Sequence, residues 1–211
     1  MRTLRQLKRW LLISRLPPPP WPAYLRQLLL LGRWLRAHPP PVHFATREAL
    51  YAWLASRWDG QPFDYLEAGV YRGASLRCWV GLSSHPATRF FGFDTFTGLP
   101  APWRTGWRTF PAGAFDAGGR PPEISDPRVQ WVVGRFEETL PSFLRSWQPA
   151  ARVLVHCDAD LYDSTRFFLE SLEPLLPEGT VLVFDNFSVA PHDFRAFCDV
   201  QTACERPFEV L

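Results

Sequence analysis

Two short stretches of the chain gather oxygen-bearing side chains at spacings that suit chemistry: His156-Cys-Asp-Ala-Asp-Leu-Tyr-Asp-Ser-Thr165 and Phe184-Asp185-Asn186-Phe187. Each follows an apolar run with strand character, Val153–Asp158 and Val181–Asp185. Asp158 and Asp160 therefore stand just beyond one predicted strand, and Asp185 with Asn186 at the tip of another. Neighbouring parallel strands lie roughly 5 Å apart, which brings Asp158 close to Asp185 and Asn186. Carboxylates gathered in this way repel one another unless a cation or a proton intervenes. Hard oxygen donors suit Mg2+ and not zinc, so Asp158, Asp185 and Asn186 are candidate ligands of a divalent ion. Asp163 and Ser164 suit the cap of the next helix, a role that needs no ligand.

A second constellation lies earlier. Leu66-Glu-Ala-Gly-Val-Tyr-Arg-Gly-Ala-Ser75 places Gly69 and Gly73 between a predicted strand and a predicted helix. Glycine there lets backbone approach a ligand, and the free amides of a helix start favour polar or anionic groups. The spacing is not the G-x-G-x-x-G of pyrophosphate-binding dinucleotide enzymes, which counts against a nicotinamide oxidoreductase. Asp94 ends the next predicted strand and is placed to accept hydrogen bonds from both hydroxyls of a ribose. Glu67 is placed to hold the ammonium of an amino-acid moiety. For either carboxylate, capping a neighbouring helix is the alternative.

The elements that must position these residues are legible as an alternation. Strands are predicted at Tyr65–Val70, Phe90–Asp94, Val129–Val133, Val153–Asp158 and Val181–Asp185, and helices at Ala74–Leu82, Glu137–Trp147, Ser164–Leu176 and His192–Ala203. That rhythm is the signature of an α/β fold, a parallel sheet flanked by helices, with ligands gathered at the carboxyl ends of the strands. Residues 97–127 break it, being rich in Gly and Pro and carrying Trp103, Trp107, Phe110 and Phe115. A long loop inside a compact domain is commonly functional, so this one is read as a lid; a surface excursion packing its aromatics on the domain stays open beside it.

Ahead of Thr46, which suits the cap of a helix running to about Ser56, the chain changes character. Residues 1–47 hold nine Lys or Arg and no acid, whereas residues 48–211 hold fourteen basic and twenty-one acidic residues. Proline clusters at Pro17–Pro20 with Pro22 and at Pro39–Pro41 bracket a helical stretch, Ala23–Ala37. We therefore divide the chain into a basic, proline-punctuated leader, residues 1–44, and a domain, residues 45–211. Three readings of the leader stay open: a solvated helix packed on its own domain, a peripheral contact of residues 1–37 with an anionic membrane, or a contact with nucleic acid. The apolar stretch within Arg9–Arg15 is too short for a signal peptide and Leu28–Leu31 too short to cross a bilayer, so a cytoplasmic location is expected, peripheral to a membrane in the second reading. Cys78, Cys157, Cys198 and Cys204 show neither zinc-site spacing nor the density of a disulfide scaffold.

On these residues the chain resembles the macrocin O-methyltransferase family of class I methyltransferases. The matching stretches are Leu66–Trp79, Phe91–Pro100, Val129–Pro141, His156–Thr165, Gly179–Phe187 and Asp193–Phe197, and the His-x-Asp-x-Asp-Leu-Tyr-x-Ser-Thr string is the most specific of them. The resemblance implies a Rossmann-like seven-strand sheet, S-adenosylmethionine as methyl donor, and a divalent metal, Mg2+, that binds the acceptor's hydroxyls. Carried over by position, Asp158 is a metal ligand, Asp185 and Asn186 stand where the family commonly has two adjacent acids, and Asp160 is the candidate general base. The cofactor set it implies is Glu67, Gly69, Gly73, Ser75, Asp94, Phe136 and Asp158. Asn186 departs from the family pattern by one negative charge, which weakens the metal site unless the amide oxygen coordinates. Pro207-Phe-Glu-Val-Leu211 reads as the opening of another strand that stops, so the last strands are expected to be missing or truncated.

The function expected is metal-assisted O-methylation of a sugar or polyol hydroxyl, on a natural product or on a glycan that the basic leader would suit if lipid-linked. The rival of another class is a catalytically silent cofactor-binding or scaffold protein of the same fold. Nucleic acid is not an expected partner, because no reading module is present. The Leu28–Leu31 face and a terminal strand edge offer surfaces for homo-oligomerisation.

Overall fold

The computed structural model describes residues 21–211 except Trp107 and Glu205. Pro17–Pro20 of the first proline cluster, the apolar stretch within Arg9–Arg15, the rest of residues 1–20 of the basic leader and the lid's Trp107 lie outside the described residues. The helices are α1 (Trp21–Ala37), α2 (Arg47–Ser56), α3 (Ala74–Leu82), α4 (Phe136–Ser146), α5 (Tyr162–Leu172) and α6 (Asp193–Cys204). The strands are β1 (Asp64–Ala68), β2 (Arg89–Asp94), β3 (Trp103–Arg104), β4 (Thr109–Phe110), β5 (Val129–Val133), β6 (Val153–Cys157) and β7 (Val181–Phe184).

Five strands form one all-parallel sheet in the order β5-β2-β1-β6-β7. Five, not the seven implied by the resemblance, make up the main sheet among the described residues. The chain winds outward from β1 through β2 to β5, then crosses back to β6 and β7. The strand order therefore reverses between β1 and β6, the point where open α/β sheets bind ligands. Register aligns the strand ends, with Ala68 opposite both Phe93 and Cys157.

The period-two pleat distributes the core. Leu66, Ala68, Phe91, Phe93, Val153 and Val155 face one layer with Leu140, Phe168 and Leu169 from α4 and α5. Tyr65, Phe90 and Leu154 face the other, with Tyr51 and Leu54 of α2 and Leu76 and Trp79 of α3. Thr46 caps α2 as expected, its Oγ1 accepting from the Ala49 amide at 3.2 Å. α1 packs on the body through Leu31, which meets Phe194 and Ala190.

Differences from the predicted elements have local causes. β1 ends at Ala68, two residues early, because Gly69 turns the chain at φ +88°. The predicted Ser164–Leu176 helix begins at Tyr162 and tightens at Glu173–Leu175 into a 3-10 turn at Pro174. Residues 97–127 are not structureless: β3 and β4 form a hairpin, and Thr97 bridges Asp116.

Candidate active site

A cavity of about 310 Å3 opens at the carboxyl ends of the strands, over the switch point. One side of its wall is the β1 loop and strand tips, with Gly69, Tyr71, Asp94, Thr95 and, from the start of α4, Phe136. The other carries Asp158, Asp160, Asp185 and Asn186 from the tips of β6 and β7. Trp103 and Phe115 close it from the hairpin segment.

The acid side stands on the ends of β6 and β7. Backbone hydrogen bonds run on past the strands, Asp158 N to Ala68 O at 2.9 Å and Asp185 N to Cys157 O at 3.1 Å, so the acids stand on the sheet's own ladder. The Asn186 amide nitrogen donates to Asp160 Oδ1 at 2.9 Å and to Asp158 Oδ1 at 3.3 Å. Arg47 of α2 approaches Asp185 at 3.9 Å. Burial, and then the charge of Asp185, pushes the Asp158 carboxyl well above the usual carboxylate range. Burial, and then the charge of Asp193, pushes Asp160 up to about 7. Asp160 also holds a left-handed backbone at φ +62°, as do Tyr71 at +52° and Phe115 at +62°, and all three line the cavity. Strain of this kind persists only where the surroundings enforce it.

Among the described residues no group of three or more His, Cys, Asp and Glu side chains forms a metal-ligand cluster. Asp158 and Asp185 nevertheless supply hard oxygen donors of the kind Mg2+ takes, and the Asn186 amide, which turns its nitrogen toward Asp158, would add its oxygen on rotating over. The residues present fit a divalent ion, by way of an Asn in place of a third acid.

The cofactor-type side is built by Asp94 and Gly69. Asp94 Oδ2 accepts from the amides of Val70 at 2.8 Å and Tyr71 at 2.7 Å, and Oδ1 from Phe96 at 2.7 Å. A carboxylate offers about four acceptor positions, so about one is left for a ligand hydroxyl, not the two expected from sequence. A Cβ on Gly69 would lie 2.1 Å from the Asp158 carbonyl oxygen, so glycine is what lets the β1 loop and the β6 tip meet.

Seven of the ten candidate catalytic, cofactor and metal residues line this cavity: Gly69, Asp94, Phe136, Asp158, Asp160, Asp185 and Asn186. Glu67, Gly73 and Ser75 do not. The pleat that puts Tyr65 on the α2 and α3 layer puts Glu67 there too, fully buried, where it accepts from the Ser75 hydroxyl. Burial pushes Glu67 up to about 8 and pushes its neighbour His156 down to about 3. Their 3.6 Å approach is thus a contact of two neutral groups, with the Tyr65 hydroxyl 2.8 Å from His156 Nδ1. Gly73, at φ +71°, serves packing: a Cβ there would lie 2.9 Å from Pro122 Cγ. Sequence reasoning missed Tyr71 and Arg135 on the wall and Arg47 beside it. Tyr71 and Arg135 each follow a predicted strand end within two residues of a glycine, a signal that was available; nothing local ties Arg47 to Asp185.

The lid reading divides. Trp103 is buried, stacks on Phe110 at 5.1 Å, and Phe110 meets Phe115 at 5.3 Å, so the aromatics pack on each other; Trp103 and Phe115 also face the cavity. His192 fixes the hairpin to the body, its Nε2 3.1 Å from Arg104 O.

Comparison with known proteins agrees with this architecture. A family model described as a methyltransferase domain matches residues 66–187, more than half of the chain. A relative from Streptomyces olivaceus, 8-demethyl-8-(2,3-dimethoxy-alpha-L-rhamnosyl)-tetracenomycin-C 4'-O-methyltransferase, is 29% identical over 160 residues, which are 65% of this chain and 59% of the relative. Among solved structures, the O-methyltransferase NovP matches at 20% identity and TM-score 0.60, over 77% of this chain and 74% of its own. CalS11, calicheamicin methyltransferase, matches at 23% identity and TM-score 0.60, over 95% and 92%. At those identities the two structures show a shared Rossmann-like fold. The family match spans β1 to the segment after β7, and so takes in every cavity residue that the strand tips carry: the chain belongs to the methyltransferase-domain family.

Proposed function

We propose that this chain is an S-adenosylmethionine-dependent O-methyltransferase of the macrocin type, acting on a sugar or polyol hydroxyl with the help of a divalent ion. The observation that carries the reading is the single cavity that joins a nucleoside-type end, at Gly69, Asp94 and Phe136, to a hydroxyl-handling end, at Asp158, Asp160 and Asp185. Support for a glycosyl acceptor comes from the tetracenomycin-sugar enzyme among the relatives, and from the aromatic wall of Trp103 and Phe115, on which an apolar sugar face stacks.

Transfer needs the acceptor oxygen in line with the sulfonium methyl. The new bond joins oxygen to the methyl carbon, the carbon–sulfur bond breaks, and its electron pair stays on sulfur. Asp160 takes the hydroxyl proton; a carboxyl near 7 is well matched to a base at neutral pH. Asn186 holds the Asp160 carboxylate through its 2.9 Å hydrogen bond and so aims the base. Asp158, Asp185 and the Asn186 oxygen would hold the divalent ion, which when bound lowers the acceptor's pKa and orients it. Asp94 tightens the β1 loop against which the cofactor lies. Four unpaired thiols among the described residues accord with a reducing, cytoplasmic setting.

Calorimetric titration with S-adenosylmethionine, with and without Mg2+, followed by transfer of labelled methyl to glycosylated acceptors, tests the reading. Cofactor binding with transfer to a sugar hydroxyl is the expected result. Binding without transfer to any hydroxyl acceptor would leave a silent binding protein in its place.

A further inference from the structure

The outward face of α1 has no packing partner among the described residues. Leu31 and Trp34 turn inward, onto Phe194 and Phe187. At helical periodicity Leu25, Leu29 and Arg36 project from the opposite side, with Arg26 and Arg33 beside them. Leu25 is 55% and Leu29 59% exposed, Leu28 is exposed as well, and the three arginines are exposed between them. This is an apolar surface set among cations on a helix without an acid. The imbalance extends beyond the helix, with nine Lys or Arg and no acid in residues 1–47 against an acid excess in residues 48–211.

The position of α1 gives that face a direction. Near one end, the Tyr24 hydroxyl sits where a Cβ on Gly106 would be 2.7 Å away, against the turn of the β3–β4 hairpin. Near the other, Trp34 meets Phe187, the residue after Asn186, with ring centroids 5.2 Å apart. α1 therefore runs alongside the hairpin and acid end of the cavity.

We propose that this face of α1 seats on an anionic lipid bilayer, Leu25, Leu28 and Leu29 entering the headgroup–acyl boundary while Arg26, Arg33 and Arg36 pair with lipid phosphates. Leucines flanked by cations on one helix face are the signature of an interfacial helix. No described helix is long and apolar enough to cross a membrane, so the contact is peripheral. A second copy fits worse, because an isologous contact would set these arginines against their own equivalents. A nucleic acid would satisfy the arginines and leave the leucines in water. Because α1 runs alongside the hairpin, contact through its outward face brings the hairpin end of the cavity near the lipid. Naming that end the acceptor end rests on the function proposed above; the docking does not.

The test is flotation of the full chain with vesicles of phosphatidylcholine, and with vesicles also holding about 30 mol % phosphatidylglycerol. The chain is expected to float with the anionic vesicles alone. L25E/L29E should lower the bound fraction about tenfold, and R26E/R33E should lower it and flatten its salt dependence. All four side chains lie in water, so melting temperature should match the parent. No capture of the parent, or equal capture of the parent and L25E/L29E, would overturn the proposal. So would sedimentation equilibrium showing a parent dimer that L25E/L29E dissociates, which would assign the face to a second copy. Methyl transfer does not enter the readout, so a membrane-bound but inactive chain would overturn only the proposed function.

Discussion

Carboxylates stand at both ends of the five-stranded sheet and are treated in opposite ways. At the amino end, Asp64 opens β1 and is fully buried. Arg89, which opens β2, pairs with it through both oxygens at 2.7 and 2.6 Å, and Trp147 Nε1 and the Ala150 amide add bonds at 3.0 and 2.9 Å. At the carboxyl end, Asp158 and Asp160 share one side-chain amide, and a guanidinium lies 3.9 Å from Asp185. The first arrangement is complete without any ligand and ties β1 to β2 and to the start of the crossing to β6. The second is incomplete, and its repulsion is relieved by whatever cation or proton arrives. Satisfied charge marks the part of the sheet that builds the fold; unsatisfied charge marks the part that binds.

The widest test of that contrast is Asp160→Asn, which keeps the shape of the side chain and removes its basicity. Turnover should fall about a thousandfold, while the ligand-free protein melts no lower than the parent, because one repelling charge is gone. Steady-state kinetics and a thermal melt read both. Turnover within about tenfold of the parent would remove Asp160 from the base role.

Asp64→Ala should show the reverse pattern. It strands the Arg89 guanidinium and the buried Trp147 N–H, at a cost of about 3 kcal/mol in a urea denaturation. S-adenosylmethionine affinity of the folded protein should stay within about twofold, since the site stands at the other end of the strands. A large loss of affinity at unchanged stability would contradict the division.

How much of each end was legible in the sequence follows from the range of the signals. The five strands were readable because each is a short apolar run closed by a polar residue or a glycine, and the acids because they stand immediately after such runs. The β3–β4 hairpin was not, because strands of two residues carry no periodicity. Glu67 fell off the wall for a reason of parity, since being near a strand tip does not say which face of the pleat a side chain takes, and Ser75, in the first turn of α3, is turned to Glu67. Arg47 and Asp185 meet only through the packing of α2 on the sheet, which no local pattern encodes. The same holds at the other end, where nothing in the spacing of Asp64, Arg89 and Trp147 announces their cluster.

Dependence on pH sharpens the contrast further. Asp160 and Glu67, held up at about 7 and about 8 against ordinary values of 3.8 and 4.5, contribute stability that is whole below those ordinary values and is lost as pH rises through the raised ones. His156, held down at about 3 against 6.5, contributes in the other sense, and its share is whole above pH 6.5. From pH 6.5 to 8 only the acids change, so the ligand-free protein should lose stability there, by about 5 °C in melting temperature. Asp160→Asn should flatten the fall without abolishing it, because Glu67 remains. A flat profile in the parent would mean that the acids are already neutralised.

The smallest expected effect bears on the ion. Asn186→Asp replaces the amide that donates to Asp160 and Asp158 with another carboxylate facing them. Without a divalent ion the variant should be less stable by about 1 kcal/mol, one hydrogen bond lost and one repulsion gained. With Mg2+ the order should invert, because a third acid completes the oxygen set and raises affinity about tenfold. Calorimetric titration of both proteins with Mg2+ separates the cases. Equal affinities would mean that the amide oxygen coordinates as well as a carboxylate does. Binding by neither would leave Asp160 as the whole of the proton chemistry, and the Asn186 amide, already on its carboxylate, as the group that positions it.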